Sequence, residues 1–514
     1  MTMSTTWKKI YSTFILFLFF HVCLTAGPLP AEEKDPVDLN PAAVTSPADE
    51  PEKDEKEDTD KKKGFNVNID ASLLYGLYNN IFSAISLIQN HEKFAYQLNS
   101  EFKRSNDFGY KNSSFYNNEI GFTGNARVFK SWTLIPELTV NNESHGMFDD
   151  AVFDREEKDK IVILFKNEYK PTPARWQFNI GGAQYVHRLA GDLPDDFSCY
   201  KINEEIKWEY VWSAANSIMI NHYYWQYFFD DAVGRNIDSH VANEILVNFK
   251  ITEYIKLNGG GIIDWNLDSG WFPSGKLQIS STGLKYFSIE GSYSYTLKPF
   301  EPEKVYFEQK YVEPAGGLAP AKVHLGSLDT SFDISFKKKT SFYLKKFKIK
   351  LEGAWERSDN FYNFLPSTSY ALSEILAVEA IPVTSIHAEP SILFTFNIFG
   401  HSLELNASYL YQYFISSDTV TYHPTHTVKG EVTFKSTNWE LAFENSYQDA
   451  MYTDPGTGST IEGRILGNIE LQYKMIDTLY ISVKLQNIYN NSYSLVDGFP
   501  EPGFRALAGL RIII

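Results

Sequence analysis

The stretch Leu403-Glu404-Leu405-Asn406-Ala407-Ser408-Tyr409 alternates apolar and small or polar side chains along its length. Successive side chains of a β-strand point to opposite faces, so this pattern predicts a strand with one apolar and one polar face. Similar alternation occurs at residues 176–180, 289–295 and 481–485. The chain is therefore predicted to be all-β.

Strand-like segments of about ten residues recur from Phe65 to Ile514, the length typical of transmembrane strands. Residues 69–73 and 161–165 are further examples, and residues 277–279 are predicted to form a hairpin with residues 289–295. Lipid-exposed strands must pair all their backbone groups, which requires a closed sheet. At roughly 20 residues per strand and connection, the length predicts a transmembrane antiparallel β-barrel of about 20–22 strands.

Two other architectures fit part of this length and pattern. A porin of about 16 or 18 strands with longer loops would also use the available residues. An array of soluble β-sandwiches would show domain breaks and linkers rich in proline and glycine at intervals of about 100 residues, and the sequence has no such breaks. A large barrel is therefore the preferred prediction.

The composition agrees with a barrel and excludes some other classes of protein. The chain has 38 Phe, 32 Tyr and 10 Trp, and its formal net charge is −17. Abundant aromatics in a moderately polar chain are typical of strands with one face in lipid and one in water. A negative net charge argues against nucleic-acid binding, which requires a basic surface.

The N-terminus predicts export. Lys8 and Lys9 precede an apolar run of about ten residues, which is too short for a transmembrane helix and ends in Leu24-Thr25-Ala26. Residues 1–26 are therefore predicted to be a signal peptide, and the barrel is expected in the outer membrane of a double-membraned bacterium. Acylation at Cys23 is the less favoured alternative, because His21 and Val22 are not the small residues that usually precede a lipidated cysteine.

Residues 27–64 form a segment of different composition. It contains prolines and many Asp and Glu mixed with Lys, and its hydrophobic content is too low for a packed core. We expect an acidic, disordered periplasmic tether, or alternatively a docking tail for a periplasmic partner. Residues 65–514 are the predicted barrel.

No residue is predicted to be catalytic, cofactor-binding or metal-binding, and the substrate-binding residues are unknown at this stage. Cys199 is expected to be a small apolar strand residue, and Gly259 to Gly261 to allow bending or close packing of a strand. Pro424 separates His423 from His426, which favours an extended segment over a zinc-binding helical face. The histidines have no evident nucleophile and base system, so the chain is not expected to be an enzyme. These histidines are His187, His222, His240, His324, His423 and His426.

Other clusters have more than one interpretation. The aromatic run at residues 223–229 is predicted to lie in a headgroup-level girdle, with a sugar-stacking platform as the alternative. Residues 149–159 are predicted to form an acidic loop. Acidic residues in the predicted loops either attract cations or are solvated charges, and the second interpretation is preferred. These residues are Asp149, Asp150, Asp230 and Asp231.

The last 200 residues contain motifs of a known family in order. Residues 485–493, 498–503 and 508–510 resemble the final hairpin of TonB-dependent receptors, with its Asn-containing turn, Pro-Gly loop and closing strand. Further upstream, three more segments resemble elements of that family: Leu318-Ala319-Pro320, residues 422–426, and residues 447–454. The resemblance implies a wide barrel involved in uptake.

The sequence also departs from this family. Ile514 ends the chain where the family usually has Phe, Phe504 replaces an Arg, and Ala321 replaces a Glu. The α/β plug domain that normally precedes the barrel has no counterpart in the sequence, and Ala43-Val44-Thr45 is too slight for an energy-coupling box.

Three functions remain open at this point. The first is a passive channel, and the second is an energised transporter with a plug from a separate polypeptide or from a loop folded inward at residues 301–321. The third is a surface scaffold that displays adhesive or receptor loops. The expected partners are outer-membrane lipid, the barrel assembly machinery, and a separate plug or periplasmic energy-coupling subunit.

Overall fold

The computed structural model describes residues 66–514, apart from 92, 107–112, 148–152, 192–194, 232–233, 282–283, 309–311, 313–318, 338–339, 368–375, 455 and 498. The predicted signal peptide and tether, and Phe65, lie outside the described residues. The strands are β1 Asn66–Gly76, β2 Ile81–Asn90, β3 Phe94–Ser105, β4 Phe115–Phe129, β5 Trp132–Gly146, β6 Phe153–Tyr169, β7 Ala174–Gly191, β8 Asp195–Ser213, β9 Asn216–Asp231, β10 Gly234–Lys250, β11 Ile255–Asn266, β12 Gly270–Ser281, β13 Phe287–Lys298, β14 Ala321–Ser335, β15 Phe342–Pro366, β16 Leu376–Ile398, β17 His401–Ile415, β18 His426–Lys435, β19 Trp439–Gln448, β20 Met451–Asp454, β21 Ser459–Ile461, β22 Arg464–Ile476, β23 Leu479–Gln486, β24 Tyr493–Val496, β25 Phe499–Glu501 and β26 Arg505–Ile513.

The described strands form one closed antiparallel sheet of 22 strands and two small hairpins, β20–β21 and β24–β25. Neighbouring barrel strands pair in chain order, and β1 closes the barrel by pairing with β26, from Asp70 opposite Ile513 to Gly76 opposite Leu507. This confirms the predicted fold class at the upper end of the predicted strand number. The hairpin predicted from residues 277–279 and 289–295 is also present, with Leu277 opposite Tyr293.

The register gives the sheet two chemically different faces. On β8, Tyr200 and Ile202 point outward and are about half exposed, whereas Cys199 and Lys201 point into the lumen. The same alternation continues around the barrel, because pairing partners in adjacent strands share a face. The outward face is an aliphatic surface of the kind that lipid covers. Its exposed residues include Ile163, Ile180, Ile220, Ile245, Ile263, Leu277, Leu328 and Ile349.

Outward-facing aromatic side chains border this aliphatic surface at both barrel ends. Tyr200 and Tyr210 on β8 are ten residues apart, which corresponds to about 25 Å along the membrane normal at about 3.3 Å per residue and a strand tilt of about 40°. That height matches the apolar band of outer-membrane barrels, about 25 Å. One border includes Trp132, Tyr169, Trp176, Tyr210, Phe249, Trp439 and Tyr473, and the other includes Tyr75, Tyr200, Trp271, Tyr413 and Tyr447.

The two barrel ends differ in the length of their connections. At the end where β1 begins, which we call the turn end, successive strands are joined by two to six residues. At the opposite end, the loop end, connections reach 22 residues between β13 and β14 and 18 residues between β23 and β26. In the described part of the chain, the helical turns are too short to cross a membrane.

Two local features decide details of the sheet. Gly260 lies so close to the facing strand that an added Cβ would be 1.8 Å from the Ile245 carbonyl oxygen, so close packing, one of the two predicted roles, applies to this glycine, whereas Gly261 has open space around it. The acidic loop predicted at residues 149–159 is wrong for its second half, because β6 begins at Phe153. Glu156 and Lys158 are buried on this strand, because pairing with the neighbouring strands outweighs the preference of their charges for solvent.

Candidate functional site: the loop end of the lumen

The lumen wall is predominantly polar because the polar half of each alternating strand points inward. On β8 the inward series continues through Asn203, Glu205 and Lys207. Many inward charges meet an opposite charge on the same or an adjacent strand, such as Lys166 Nζ and Glu137 Oε1 at 2.7 Å. A wall of this composition accommodates water and hydrophilic solutes.

The longest loop folds back into this lumen. Residues 300–308, which we call the inward segment, contain a π-helical turn, Glu303–Phe307. Val305 and Tyr306 are almost completely buried, and Phe300 and Phe307 are nearly so. The described part of the loop predicted to fold inward, residues 301–308, thus does so.

The inward segment packs on the lumen face of β7, β8 and β9. The ring of Phe307 lies 5.2 Å from that of Tyr185, and the ring of Tyr306 lies 5.0 Å from that of Phe197. Phe300 lies 5.9 Å from Phe229 by ring centroids. Buried aromatic pairs of this kind add about 0.5–1.5 kcal/mol each beyond their area burial, so the segment is held by an apolar surface.

A charge-assisted contact lies inside this aromatic cluster. The Lys201 Nζ donates to Glu303 Oε1 at 2.6 Å, and the Tyr227 hydroxyl donates to the same oxygen at 3.0 Å. The Lys201 ammonium also lies 5.0 Å from the centre of the Tyr227 ring. Because Glu303 is only 4% exposed, this pair is largely desolvated, and removal of one partner leaves an uncompensated charge.

A second anchor lies on β15 and β16. Phe300 contacts the ring of Tyr362 at 6.0 Å, and Val312 forms an isolated parallel bridge with Leu376. The segment therefore connects walls on both sides of its own loop. β7 is eight strands from β15, so the segment contacts parts of the wall that are far apart along the sheet.

The connection between β17 and β18 joins this assembly. Thr421 is fully buried, and its backbone N–H donates to Asn363 Oδ1 at 2.9 Å. Burial raises the pKa of the Tyr422 hydroxyl and lowers the pKa of the His423 imidazole, although the His423 Nδ1–H bond to the Thr421 carbonyl at 2.6 Å partly opposes the second shift. Loops from several strands thus form one packed layer over the lumen.

Sequence reasoning missed two buried pairs of histidine and carboxylate on the lumen wall. His187 Nε2 lies 2.9 Å from Glu156 Oε1, and His240 Nε2 lies 3.3 Å from Asp264 Oδ1. The two residues of each pair are far apart in the sequence, so the pairing register of the strands is needed to show that they meet. Both pairs are structural parts of the wall at the loop end, and the described residues contain no group of three or more His, Cys, Asp or Glu suited to a metal ion.

The structure assigns other predicted residues to specific positions. The interpretation of the run 223–229 as a girdle is wrong for its odd-numbered members, since Tyr227 and Phe229 are buried in the lumen under the inward segment.

Cys199 is a buried strand residue in the same cluster, as predicted. Asp230 is paired with Arg235 at 3.0 Å near the loop end. Asp149 and Asp150 lie outside the described residues.

The other histidines do not converge on one site. His222 bonds to Asn243 at 2.9 Å, whereas His324 and His426 bond to the hydroxyls of Tyr293 and Tyr409, each at 2.8 Å. These contacts join neighbouring strands.

The motifs that carried the family resemblance occupy the predicted parts of the barrel. Residues 422–426 lead into β18, and residues 447–454 connect the end of β19 to β20. The C-terminal motifs form β23, the following loop with its hairpin, and the closing strand β26. Gly498 and Leu318 lie outside the described residues.

Comparison with known proteins gives matches at the level of structure. No protein-family model and no curated protein matches the sequence. A mutant of the ferric enterobactin receptor PfeA from Pseudomonas aeruginosa aligns with a TM-score of 0.65 at 9% identity, over 88% of this chain and 81% of that one. The copper transporter OprC aligns with a TM-score of 0.67 at 10% identity, over 89% and 82%. The FrpB iron transporter from Neisseria meningitidis aligns with a TM-score of 0.67 at 9% identity, over 87% and 81%.

These structural similarities extend over most of the chain, although only 9–10% of the aligned residues are identical. Strand number, closure and pairing order therefore agree with the resemblance of the C-terminal motifs. The chain has the 22-stranded barrel fold of the TonB-dependent siderophore receptors.

Proposed function

We propose that this chain is an outer-membrane uptake transporter that moves a hydrophilic solute through its lumen, and that the inward segment gates the passage. The observation that carries the proposal is a wide, polar lumen into which residues 300–308 of the same chain fold and pack against the wall. A barrel of 22 strands is too wide for its wall side chains to fill, so solute passage depends on what occupies its lumen.

The asymmetry of the barrel supports an orientation. Outer-membrane barrels have short periplasmic turns and long extracellular loops, so the loop end would face outward and the turn end the periplasm. Residues 1–26 would then direct export, and residues 27–64 would be a periplasmic tail. An energy-coupling or plug subunit would act from the same side.

The structures with this fold support transport over enzymatic activity. Those proteins are a siderophore receptor and transporters of copper and iron. We extend only the general role, uptake across the outer membrane, to this chain.

The gate is tested with Glu303→Gln, which removes the carboxylate charge that Lys201 binds. Loss of a buried charge-assisted bond of about 1.5 kcal/mol should raise the fraction of open molecules about tenfold. Single-channel conductance in planar bilayers measures this fraction, and Glu308→Gln, an exposed position on the same segment, is the control.

Chemical labelling of Cys199 measures the open fraction independently of conductance. It is fully buried under the inward segment, and Cys23 is the other cysteine of the chain. In a Cys23→Ser background, a water-soluble maleimide should label Cys199 about tenfold faster when Glu303 is Gln, for the same population reason. Equal labelling and a large steady conductance in the parent and both Glu variants would contradict gating by this segment.

The surface-scaffold function predicts a different result. A display scaffold would not accumulate solute in any variant, even where Cys199 labelling is faster. Uptake assays in cells that produce the parent protein or the Glu303→Gln variant therefore separate the two functions.

A further inference from the structure

We propose that the lumen wall beneath the inward segment is a binding site for an aromatic carboxylate, and that Glu303, Tyr306 and Phe307 occupy it as a ligand built into the chain. The inference names a substrate class for the proposed transporter and rests on that function for its biological role. The binding site itself is defined by contacts within the barrel.

The wall supplies the complement of an anion. Lys201 and the Tyr227 hydroxyl both donate to one carboxylate oxygen, at 2.6 and 3.0 Å. Lys201 has Glu303 as its ion-pair partner in the described part of the chain. If the segment leaves, the ammonium and the hydroxyl lose this acceptor, and an incoming carboxylate would satisfy the same donors.

The wall also supplies flat apolar surface next to these donors. Tyr185 and Phe197 line the places where the rings of Phe307 and Tyr306 insert, and Cys199 lies among them with no exposed surface. These side chains come from adjacent strands and share the lumen face with Lys201. Removal of the segment would expose an ammonium bordered by aromatic rings, a surface suited to a molecule with one carboxylate and one aromatic ring.

The Glu303 carboxylate of the inward segment is hydrogen-bonded through one of its two oxygens. Its Oε1 accepts two hydrogen bonds, whereas its buried Oε2 accepts none from the described residues. A buried acceptor without a donor raises the free energy of the state that contains it. The closed arrangement is therefore suited to displacement by a ligand that can satisfy both carboxylate oxygens.

Because the inward segment and the ligand compete for one site, the apparent affinity for the ligand depends on how tightly the segment is held. The apparent dissociation constant equals the intrinsic constant divided by the fraction of molecules with the site open. A change that weakens the segment tenfold should therefore tighten ligand binding by up to the same factor. This is opposite to the effect expected if Glu303 helped to bind the ligand.

The test is equilibrium binding of 3-phenylpropionate to the purified full chain in detergent, measured by calorimetry. Relative to the parent protein, Glu303→Gln should bind the probe up to about tenfold more tightly, whereas Lys201→Met should lose most of the affinity. Tyr227→Phe removes one donor from the segment and from the ligand alike, so its apparent affinity should stay closer to that of the parent, and the heat-modifiability of Lys201→Met on gels checks that its loss does not reflect misfolding. Glu308→Gln should match the parent.

The specificity arm uses 3-phenylpropionamide and acetate as probes. The proposal requires that both bind more weakly than 3-phenylpropionate, because one lacks the charge and the other the ring. Equal affinity for all three probes, or weaker binding of 3-phenylpropionate by Glu303→Gln, would overturn the assignment. Binding without uptake in cells would retain the site and reject the proposed transport, so the two failures are distinguishable.

Discussion

The Arg511 guanidinium holds the Asp70 carboxylate in a bidentate ion pair across the seam between the last and first strands. Its Nε donates to Asp70 Oδ1 at 2.9 Å and its Nη2 donates to Oδ2 at 2.6 Å. The third nitrogen, Nη1, donates to Gln472 on β22 at 3.0 Å. One side chain thus connects β1, β26 and β22 from inside the lumen.

Substitution of either seam partner should weaken closure moderately. The two side chains are 32% and 40% exposed, so solvent screening limits their coupling to about 1 kcal/mol in a double-mutant cycle of Arg511→Gln and Asp70→Asn. Urea unfolding of the refolded barrel in detergent measures this coupling, which should shrink in 1 M salt. A coupling near zero at low salt would mean that backbone pairing alone holds the seam.

Gly509→Ala should be more damaging at the same seam. A Cβ at this position would lie 1.8 Å from the Leu73 carbonyl oxygen on the paired strand, so the backbone must move apart. Overpacking of this kind typically costs about 1–3 kcal/mol, and we expect a lower unfolding midpoint and a smaller folded fraction on heat-modifiability gels. The control is Gly121→Ala, whose Cβ would have no atom within 4 Å. A similar loss in both variants would contradict the steric explanation.

Two adjacent residues of β6 test which face meets lipid. Ile163 points outward and Val162 points into the lumen. Ile163→Arg should cost about 2–4 kcal/mol of folding free energy in vesicles, the range for a cation near the bilayer midplane, whereas Val162→Arg should cost much less. Tryptophan fluorescence during urea titration provides the measurement. If Val162→Arg cost more than Ile163→Arg, Val162 would face lipid, and every side chain of β6 would have to be assigned to the opposite face of the sheet.

The packed loop layer should loosen in acid through His423. Burial lowers the pKa of this imidazole below its ordinary value of about 6.5, so the unfolded loop binds a proton more readily than the folded one. The stability of the loop should therefore be greatest above about pH 6.5 and fall as the pH decreases through the folded pKa. Hydrogen exchange of residues 416–425 at pH 7.5 and pH 5.5 measures this loss, which should be absent in His423→Gln.

The barrel was predictable because its signal is local. Residues 403–409 and 481–485 show their two faces in the sequence itself, and chain length then limits the strand number. Residues 300–308 mix charged and aromatic side chains without the period of a strand, so the sequence indicates a candidate inward loop at 301–321 but not the contacts that bury it. That burial depends on Lys201 and Tyr227, which lie about 75 to 100 residues away.

Register explains the remaining differences between prediction and structure. The run at residues 223–229 contains aromatics on both faces of β9, and composition alone does not show that Tyr227 faces the lumen. Glu156 appeared to belong to a solvated loop, yet it is buried opposite β7 near His187. A one-residue change of register would reverse both assignments, so the information lies in strand pairing rather than in local sequence.

The pairing of β1 with β26 also has a consequence for how the molecule is made. Asp70 and Arg511 are separated by 441 positions, so the contact that completes the cylinder cannot form until almost the whole polypeptide has been synthesised. Loop-closure entropy makes such distant pairing slow, and the incomplete sheet meanwhile has two unpaired edges. The newly made chain therefore exposes aggregation-prone sheet edges until its last strand pairs with its first.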